Sequence, residues 1–431
     1  MRIIKLSLVL FLITYASQAQ KENKYIKDAE VKRIISTLAA DDMMGRSSMH
    51  PEQIEKATAF IDAEFKKAGL KPLQGLKGFR QEFPVTKIDG LETAEVIVNG
   101  QVIPKDKFIF MSDNDEINWK SGVPVVIVGA SDTFNPNQFM SDSTNKIVVL
   151  DVAHEAKLAG LKRFLSRARI LSTPSRFKGN ILFVSGISSV ENYSVKIKQR
   201  KESFKMTNLV GVLPGKSKPD EMVVFSGHYD HIGILKAVEG DSIANGADDD
   251  ASGTTAVIAL ANYFKKLKNN ERTLVFTAFT AEEIGGFGSK YFSQQLDADK
   301  VVAMFNIEMI GKASKWGTNS AFITGYERSD FGTILQKNLQ GTAFTFHPDP
   351  YPQQNLFYRS DNATLARLGV PAHTISTDQI DSDKLYHSVN DEVESLDIKN
   401  IVATIRAIAL SAKSIVAGTD TPTRIDKTTV K

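Results

Sequence analysis

The chain has 431 residues and a formal charge of +3, and its 42% apolar and 24% charged side chains are ordinary values for a globular protein. This near-neutral balance gives no indication of a nucleic-acid or anionic membrane surface. Cysteine is absent, which excludes disulfides, thiolate zinc sites and cysteine nucleophiles. Any transition metal must therefore be held by histidine, aspartate and glutamate, and the length suggests two domains or one domain with an insertion.

Residues 1–19 have the pattern of a secretory signal peptide. Arg2 and Lys5 precede an apolar run of ten residues from Leu6 to Tyr15, and small residues stand at the end of the segment. The run is too short to cross a bilayer, which needs about 20 residues. The sequence therefore predicts an exported protein, periplasmic or secreted, without a membrane anchor.

Residues 52–70 and residues 85–205 have different patterns. In the first segment apolar residues recur every three or four positions, which predicts an amphipathic helix that ends near Gly69. In the second segment short β-rich runs alternate with long polar connections, which predicts a separate small domain inserted into the chain. Its clearest predicted strands are residues 123–129, 146–151 and 180–185.

From residue 206 onwards the pattern is strand, loop and helix in repeated succession. The predicted strands are almost continuously apolar, as in sheets that helices cover on both faces. We therefore expect an α/β fold with a largely parallel central sheet. The predicted strands are residues 208–215, 222–227, 273–280, 302–311, 321–324 and 372–376, and the predicted helices are residues 251–268 and 397–417.

Five segments that carry acidic residues and histidine fall at the ends of predicted strands. In open parallel sheets, ligands bind in the crevice outside the carboxyl ends of the strands. Glu308 is especially informative because it interrupts an apolar strand, where an unpaired carboxylate is costly. The segments are G-H-Y-D at 227–230, G-A-D-D-D-A-S-G at 246–253, A-E-E at 281–283, N-I-E-M-I-G at 306–311 and Y-H at 386–387.

The residue types in these segments suit a site for two divalent metal ions. Oxygen and imidazole ligands without sulfur suit Zn, Mn or Co, and three carboxylates with two histidines can hold two ions if one carboxylate bridges them. Glu282 and Glu283 are neighbours, and neighbouring side chains on extended backbone point in opposite directions. One glutamate can then bind metal while the other faces the substrate as a base, and Tyr386 can donate a hydrogen bond to an oxyanion.

In this order, the segments resemble those of the M28 family of zinc aminopeptidases, of the bacterial and exported kind. The resemblance covers residues 36–70 and 206–420. It implies an α/β zinc-peptidase fold with a mixed, mainly parallel central sheet between helices, and two zinc ions as cofactors. The metal ligands that it implies are His228 and Glu308 for one zinc, Glu283 and His387 for the other, and Asp249 as the bridge.

The resemblance also implies roles for the residues around the metals. Glu282 would be the general base and Tyr386 an oxyanion donor. Asp230 would be the partner that orients His228. Asp250 would follow a cis peptide bond and turn away from the ions towards backbone donors.

Two positions depart from the family pattern. Glu308 stands where the family usually has aspartate, so the ion that it binds is expected to be held more weakly or shifted. Residues 360–362 read S-D-N where the family often has S-D-H, and the role of that segment towards the substrate is therefore not carried over.

The function that the resemblance implies is that of an exported di-zinc exopeptidase, which removes N-terminal residues from peptides with a free N-terminus. Residues 20–84 and 206–431 would form the zinc peptidase domain, and residues 85–205 a protease-associated-like insertion. One alternative is a carboxypeptidase of the same family, with Arg359 as the clamp for a terminal carboxylate. The others are a glutaminyl cyclase-like transferase with a single zinc and an inactive binding protein on this fold.

Overall fold

The computed structural model describes residues 23–140, 143–165, 168–171 and 177–431. The predicted signal peptide lies outside these described residues. Among the described residues, no helix combines the length and the apolar character that a membrane span requires. The chain divides into two compact units. The first joins Met1–Phe83 with Met206–Lys431, and we call it the discontinuous unit; the second, Pro84–Lys205, is the inserted unit.

A mixed, mainly parallel sheet forms the centre of the discontinuous unit. Two of its pairings are antiparallel: Ser320–Ile323 with Ala372–Ser376, and Tyr193–Leu213 with Arg272–Phe279. The other pairings between neighbouring strands are parallel, so the expected sheet is confirmed. From one edge the strand order is Thr345–Pro348, Ser320–Ile323, Ala372–Ser376, Val301–Ile307, Lys218–His228, Arg272–Phe279 and Tyr193–Leu213.

Two small elements complete the β-structure of this unit. Lys71–Pro72 pairs with the end of Tyr193–Leu213. Gly233–Val238 and Asp241–Ala244 form a separate two-stranded hairpin. The hairpin lies in the chain between the first two predicted site segments.

Helices cover both faces of the central sheet. Successive side chains of a strand point to opposite faces, and in this sheet both sets include apolar residues that must be buried. In the strand Lys218–His228, Val223 and Phe225 belong to one hydrophobic cluster and Val224 belongs to another. The predicted helix at residues 397–417 is observed as two consecutive helices. The helices of the discontinuous unit are Asp28–Leu38, Pro51–Ala68, Gly253–Leu267, Phe287–Gln294, Phe331–Asn338, Asn362–Ala366, Ile398–Ser411 and Lys413–Val416.

The strand that leads to Glu308 is shorter than the sequence pattern predicts. Residues 302–311 are predicted as one strand, but the observed strand, Val301–Ile307, ends just before Glu308. Met309 beyond it has a φ of 50° and is buried. The apolar run therefore reflects burial of a loop as well as of a strand, and Glu308 follows the strand instead of interrupting it.

The inserted unit has a four-stranded sheet and a hydrophobic core of its own. In that sheet Ile181–Ser185 pairs with Phe108–Met111 in the antiparallel direction. The pairings of Lys146–Leu150 with Ile181–Ser185 and with Val125–Val128 are parallel. Its assignment as a protease-associated-like domain stays a prediction. The strand order is Phe108–Met111, Ile181–Ser185, Lys146–Leu150 and Val125–Val128. Further strands are Gln101–Val102, Glu116–Trp119, Arg169–Ile170, most of Arg80–Val98 and the first part of Tyr193–Leu213, and the helices are Asn137–Met140 and Glu155–Leu165.

Candidate metal centre and active site

The predicted site residues come together at the carboxyl ends of the parallel strands. His228 is the last residue of its strand, and Glu308 directly follows the neighbouring strand of the sheet. Glu283 lies four residues beyond the strand on the other side of His228. Because these strand ends lie side by side at one edge of the sheet, residues that are far apart in the sequence converge.

Asp249 stands between two histidines. Its Oδ1 lies 3.3 Å from Nε2 of His228, and its Oδ2 lies 3.2 Å from Nε2 of His387. The same nitrogen of His387 is 3.0 Å from Oε2 of Glu283. A carboxylate whose two oxygens face different imidazoles has the arrangement that a bridge between two metal ions requires.

The fifth predicted ligand, Glu308, has a buried oxygen without a partner. Neither Oε2 of Glu308 nor Nε2 of His228 has a hydrogen-bond partner in the part of the chain that the structure describes. Burial raises the pKa of Glu308 to about 7, while His228 opposes this effect and Asp249 adds to it. Unpaired buried polar atoms cost free energy. A divalent cation held by these residues would remove that cost, so the donor set fits a metal ion.

Glu282 and Glu283 lie on a turn, and not on the extended backbone that the sequence suggested. The N–H groups of Gly285 and Gly286 donate to the Glu282 carbonyl at 2.9 and 3.1 Å. The turn allows both glutamate side chains to line one cavity together with Asp249. The two glutamates therefore differ in their contacts and not in the face of a strand to which they point. Glu283 contacts histidine side chains, whereas Glu282 faces the cavity.

The environment of Glu282 favours proton exchange at its carboxyl group. Burial raises the pKa of Glu282 well above its usual range; the charge of His228 opposes this effect and that of Glu308 adds to it. The main-chain N–H of Glu282 donates to Oδ1 of Asp230 at 3.1 Å, which fixes the turn. A buried carboxyl group with a raised pKa beside a metal centre is a candidate general base.

Asp230 is placed to orient His228, and it does so through its main chain. Nδ1 of His228 donates to the Asp230 carbonyl oxygen at 3.1 Å, whereas the nearest carboxylate oxygen is 3.7 Å away. That carboxylate oxygen accepts the N–H of Glu282 instead. One residue thus connects the His228 ring to the turn that carries the candidate base.

The three consecutive aspartates face three different environments. The peptide bond between Asp249 and Asp250 is cis, as the resemblance implies. Asp250 accepts hydrogen bonds from three backbone N–H groups, including that of His228 at 3.1 Å. Asp248 turns to the other side, where its carboxylate lies 3.3 Å from Nζ of Lys312. Asp249 is the member of the three that contacts histidine side chains.

Tyr386 stacks on His387, with ring centroids 3.9 Å apart and an interplanar angle of 20°. Burial raises the pKa of Tyr386, and the charges of Asp249 and Glu283 raise it further. Its phenol therefore keeps its proton at neutral pH. Tyr386 lines the same cavity as Glu282, where a protonated phenol can donate to a developing oxyanion.

His231 belongs to the site, although the sequence analysis did not single it out. It is buried, with Nδ1 2.6 Å from Oε1 of Glu283 and 3.8 Å from Oδ2 of Asp249. With these two carboxylates it forms a group of potential metal ligands. The signal was present, because His231 directly follows the segment of His228 in a chain with only seven histidines.

Asp391 is a second site residue that the sequence analysis missed. Its carboxylate accepts the backbone N–H groups of Asp248 and Asp249, both at 3.0 Å. Burial and the charge of Asp248 raise the pKa of Asp391 to about 7. Asp391 thus holds the backbone of Asp249, the predicted bridge, and nothing in its polar sequence neighbourhood distinguishes it from a surface acid.

Arg46 is fully buried and donates hydrogen bonds to four main-chain carbonyls. The acceptors belong to Leu38, Tyr229, Asn245 and Gly246, at distances of 2.5 to 2.9 Å. A guanidinium group offers five N–H donors in a rigid plane. A single side chain therefore joins the N-terminal segment to two loops of the metal centre.

Replacing Glu308 with alanine is expected to remove the ion that it shares with His228 and to leave the ion at Glu283 and His387. The zinc content should then fall from the predicted two ions per chain towards one, because Asp249 and two other predicted ligands remain for the second ion. Glu308→Asp should keep both ions, since aspartate is the usual ligand of the family. Metal analysis of the purified variants measures this, and equal loss of both ions in Glu308→Ala would contradict separate positions.

Replacing His231 with alanine is expected to weaken zinc binding at Glu283 by about 10–100-fold, the usual effect of losing a residue that orients a ligand. Chelator competition measures the affinity, and His50→Ala is the matched control because His50 is an exposed histidine. His387→Ala should remove the same ion outright. If His231→Ala removes it and His387→Ala does not, His231 is the ligand and our assignment is wrong.

Residues 208–412 match the model of a family described as Peptidase family M28. The matched segment contains the five predicted metal ligands as well as the predicted base and oxyanion donor. Leucine aminopeptidase 1 of Ajellomyces capsulatus is 28% identical over 284 residues, which are 58% of this chain and 71% of that protein. A Pyricularia oryzae protein named "Probable zinc metalloprotease" is 33% identical over 134 residues, 31% of this chain, and the chain spans about a quarter (24%) of its length.

Two solved structures resemble the whole fold. The aminopeptidase from Aneurinibacillus sp. strain AM-1 has a TM-score of 0.55 at 17% identity, with 96% of this chain and 98% of that chain covered. BSAP, a zinc aminopeptidase from Bacillus subtilis, has a TM-score of 0.55 at 16% identity, with 94% and 99% covered. At such identities these likenesses establish the fold.

Proposed function

We propose that this chain, whose residues 208–412 match the model described as Peptidase family M28, is a di-zinc aminopeptidase of that family. Its reaction would be the hydrolysis of the first peptide bond of peptides with a free N-terminus. The observation that carries this proposal is Asp249 between His228 and His387, with the carboxylate of Glu282 facing the same cavity. The names of the relatives, leucine aminopeptidase and zinc aminopeptidase, support the same activity.

Five side chains would hold the two ions. His228 and Glu308 would bind one zinc, Glu283 and His387 the other, and Asp249 both. The three carboxylates compensate most of the charge of two divalent cations, and the absence of cysteine is consistent with an oxygen and nitrogen donor set. When bound, the zinc ions would polarise the scissile carbonyl and lower the pKa of water.

Glu282 would move the proton during the reaction. As the general base, its carboxylate takes a proton from the attacking water and later returns it to the leaving amine. The Tyr386 phenol would donate a hydrogen bond to the carbonyl oxygen as negative charge develops there. Both side chains line the same cavity, which supports their acting on the same substrate group.

The cavity beside the metal centre suits a substrate's N-terminal residue. Its lining includes the carboxylates of the site, which attract a protonated amine. It also includes the apolar side chains of Met309, Phe322, Leu356 and Ile380. We therefore infer that an apolar side chain is preferred at the N-terminal position.

A panel of aminoacyl chromogenic substrates, with N-acetylated controls and parallel metal analysis, tests this function. We expect release from free-amine substrates with apolar residues, no release from the acetylated ones, and two zinc ions per chain. Cleavage of acetylated peptides from their C-terminus would support the carboxypeptidase alternative. A single zinc with cyclisation of N-terminal glutamine would support the glutaminyl cyclase-like alternative, and intact peptides throughout would support a binding protein.

We also propose that the protein is exported, to the periplasm or beyond. The proposal is supported by the signal-like pattern of residues 1–19. Sequencing the N-terminus of protein recovered from outside the cytoplasm tests it. A mature chain that begins at Gln20 is expected, and a chain that retains Met1 would contradict export through this segment.

A further inference from the structure

We propose that this enzyme recognises a carboxylate on the leaving-group side of the scissile bond, so that its preferred substrates are short peptides, above all dipeptides with a free C-terminus. The inference rests on the proposed aminopeptidase function and deepens it by naming a substrate class. It is carried by a second cavity beside the metal centre, whose wall is lined by positively charged side chains.

The second cavity adjoins the first at the reaction centre. Both cavities are lined by Glu282, Glu283, Arg359, Ser360 and Tyr386. A substrate bound across the candidate base would therefore extend from one cavity into the other. If the N-terminal residue occupies the first cavity, the leaving group enters the second.

Three cations line this second cavity: Lys290, Arg359 and Arg367. In the part of the chain that the structure describes, neither Lys290 nor Arg359 has a carboxylate within ion-pair distance. Lys290 donates to the Gly285 carbonyl at 2.7 Å, and Arg359 lies 3.4 Å from the amide oxygen of Gln354. The positive charges of Lys290 and Arg359 thus have neutral partners and remain available to an anion.

The cations act on one another and on the reaction centre. Burial lowers the pKa of Lys290, and the positive charge of Arg367 lowers it further, as expected for like charges that lack a counter-ion between them. Arg359 belongs to the lining of both cavities, so its charge also reaches the reaction centre. Lys290, Arg359 and Arg367 therefore give their part of the cavity lining a local excess of positive charge, which attracts an anion.

The unshared parts of the two cavities differ in charge, and this difference matches a dipeptide. The first cavity alone has the carboxylates of Asp249, Glu308 and Asp378, on the side where the amine would bind, and the second alone has Lys290 and Arg367. A dipeptide carries its ammonium and carboxylate groups only about two residues apart, or roughly 7 Å in extended form. A longer peptide places a neutral amide beside the cations and forgoes the charge-assisted hydrogen bonds that arginine makes with a carboxylate.

A set of three substrates separates the possible sources of the carboxylate. Leucyl-alanine carries a terminal carboxylate, leucyl-alanine amide carries none, and leucyl-aspartyl amide carries one in the side chain of the second residue. We expect kcat/KM for leucyl-alanine to exceed that for its amide by roughly 5–10-fold at low salt, the size expected of two exposed ion pairs. The preference should decrease as salt is added. A faster reaction of leucyl-aspartyl amide than of leucyl-alanine would instead mean that an acidic side chain is the recognised group.

Variants of the cations identify the cause of the preference. In the double variant Lys290→Met with Arg359→Gln, the acid-to-amide ratio should fall towards one, mainly through a higher KM for the acid. Lys300→Met is the matched control, because Lys300 is an exposed lysine outside both cavities, and it should keep the preference. A wild-type ratio near one, or equal losses for acid and amide in the double variant, would overturn the inference. Failure of the aminopeptidase proposal would give a different result from failure of this inference, because none of the three free-amine substrates would then release leucine.

Discussion

Replacing Glu282 with glutamine is expected to lower kcat by about 10²–10⁴-fold, the usual contribution of general acid–base catalysis, while both zinc ions stay bound. Glutamine has nearly the same shape but cannot take the proton from water. The main-chain N–H that fixes the turn through Asp230 is unaffected by the change. Steady-state kinetics with zinc analysis of the same preparation measures both parts of this prediction.

Glu283→Gln is the matched control for this result. The same substitution at the next residue should reduce the zinc content, because Glu283 contacts both His387 and His231 through its carboxylate. KM should change little in Glu282→Gln if the glutamate takes no part in binding the substrate. Loss of zinc from Glu282→Gln would make Glu282 a ligand and would contradict its role as the base.

The second large effect is expected from Asp249→Asn, which should weaken both metal positions together. One residue supplies an oxygen to each side of the site, next to His228 and next to His387. Activity should fall by more than about 10²-fold, since even residues that merely orient a ligand contribute 10–100-fold. The zinc content after dialysis against a weak chelator measures the loss at each position.

Asp248→Asn provides the comparison one residue away. Asp248 is as deeply buried as Asp249, but it faces Lys312 and accepts the N–H of Gly311 at 2.7 Å. We expect this variant to keep both ions and to have a lower Tm, because the Lys312 ammonium loses a buried counter-ion. A loss of zinc equal to that of Asp249→Asn would show that the wrong aspartate has been assigned to the bridge.

The positions of the main site residues could be predicted because they stand at strand ends. Once His228 and Glu283 are placed after predicted parallel strands, and Glu308 in the last part of another, the geometry of the sheet brings them to one edge. Fold class follows from the same apolar pattern, which sheets buried on both faces require. The fold was therefore predictable at the level of sheet and layers, and the site at the level of which segments meet.

Other details depend on tertiary contacts that no local pattern records. The end of the strand before Glu308 could not be predicted from the sequence, because buried loop residues such as Met309 are as apolar as strand residues. The partner of the His228 ring is the carbonyl oxygen of Asp230, at 3.1 Å, and not its carboxylate, at 3.7 Å; no sequence pattern records so small a difference. His231 and Asp391 act through residues distant in sequence, so their roles become visible only when the chain is folded.

The hydrogen bonds of Arg46 set an order of events during synthesis of the chain. Three of its acceptor carbonyls lie 183, 199 and 200 residues further along, which a ribosome adding about 5–20 residues per second needs about 10–40 s to produce. The whole inserted unit, Pro84–Lys205, emerges within that interval. It can reach its native contacts while the N-terminal segment still awaits its partners. Because His387 emerges later still, a nascent chain would lack part of the candidate metal centre for most of its synthesis.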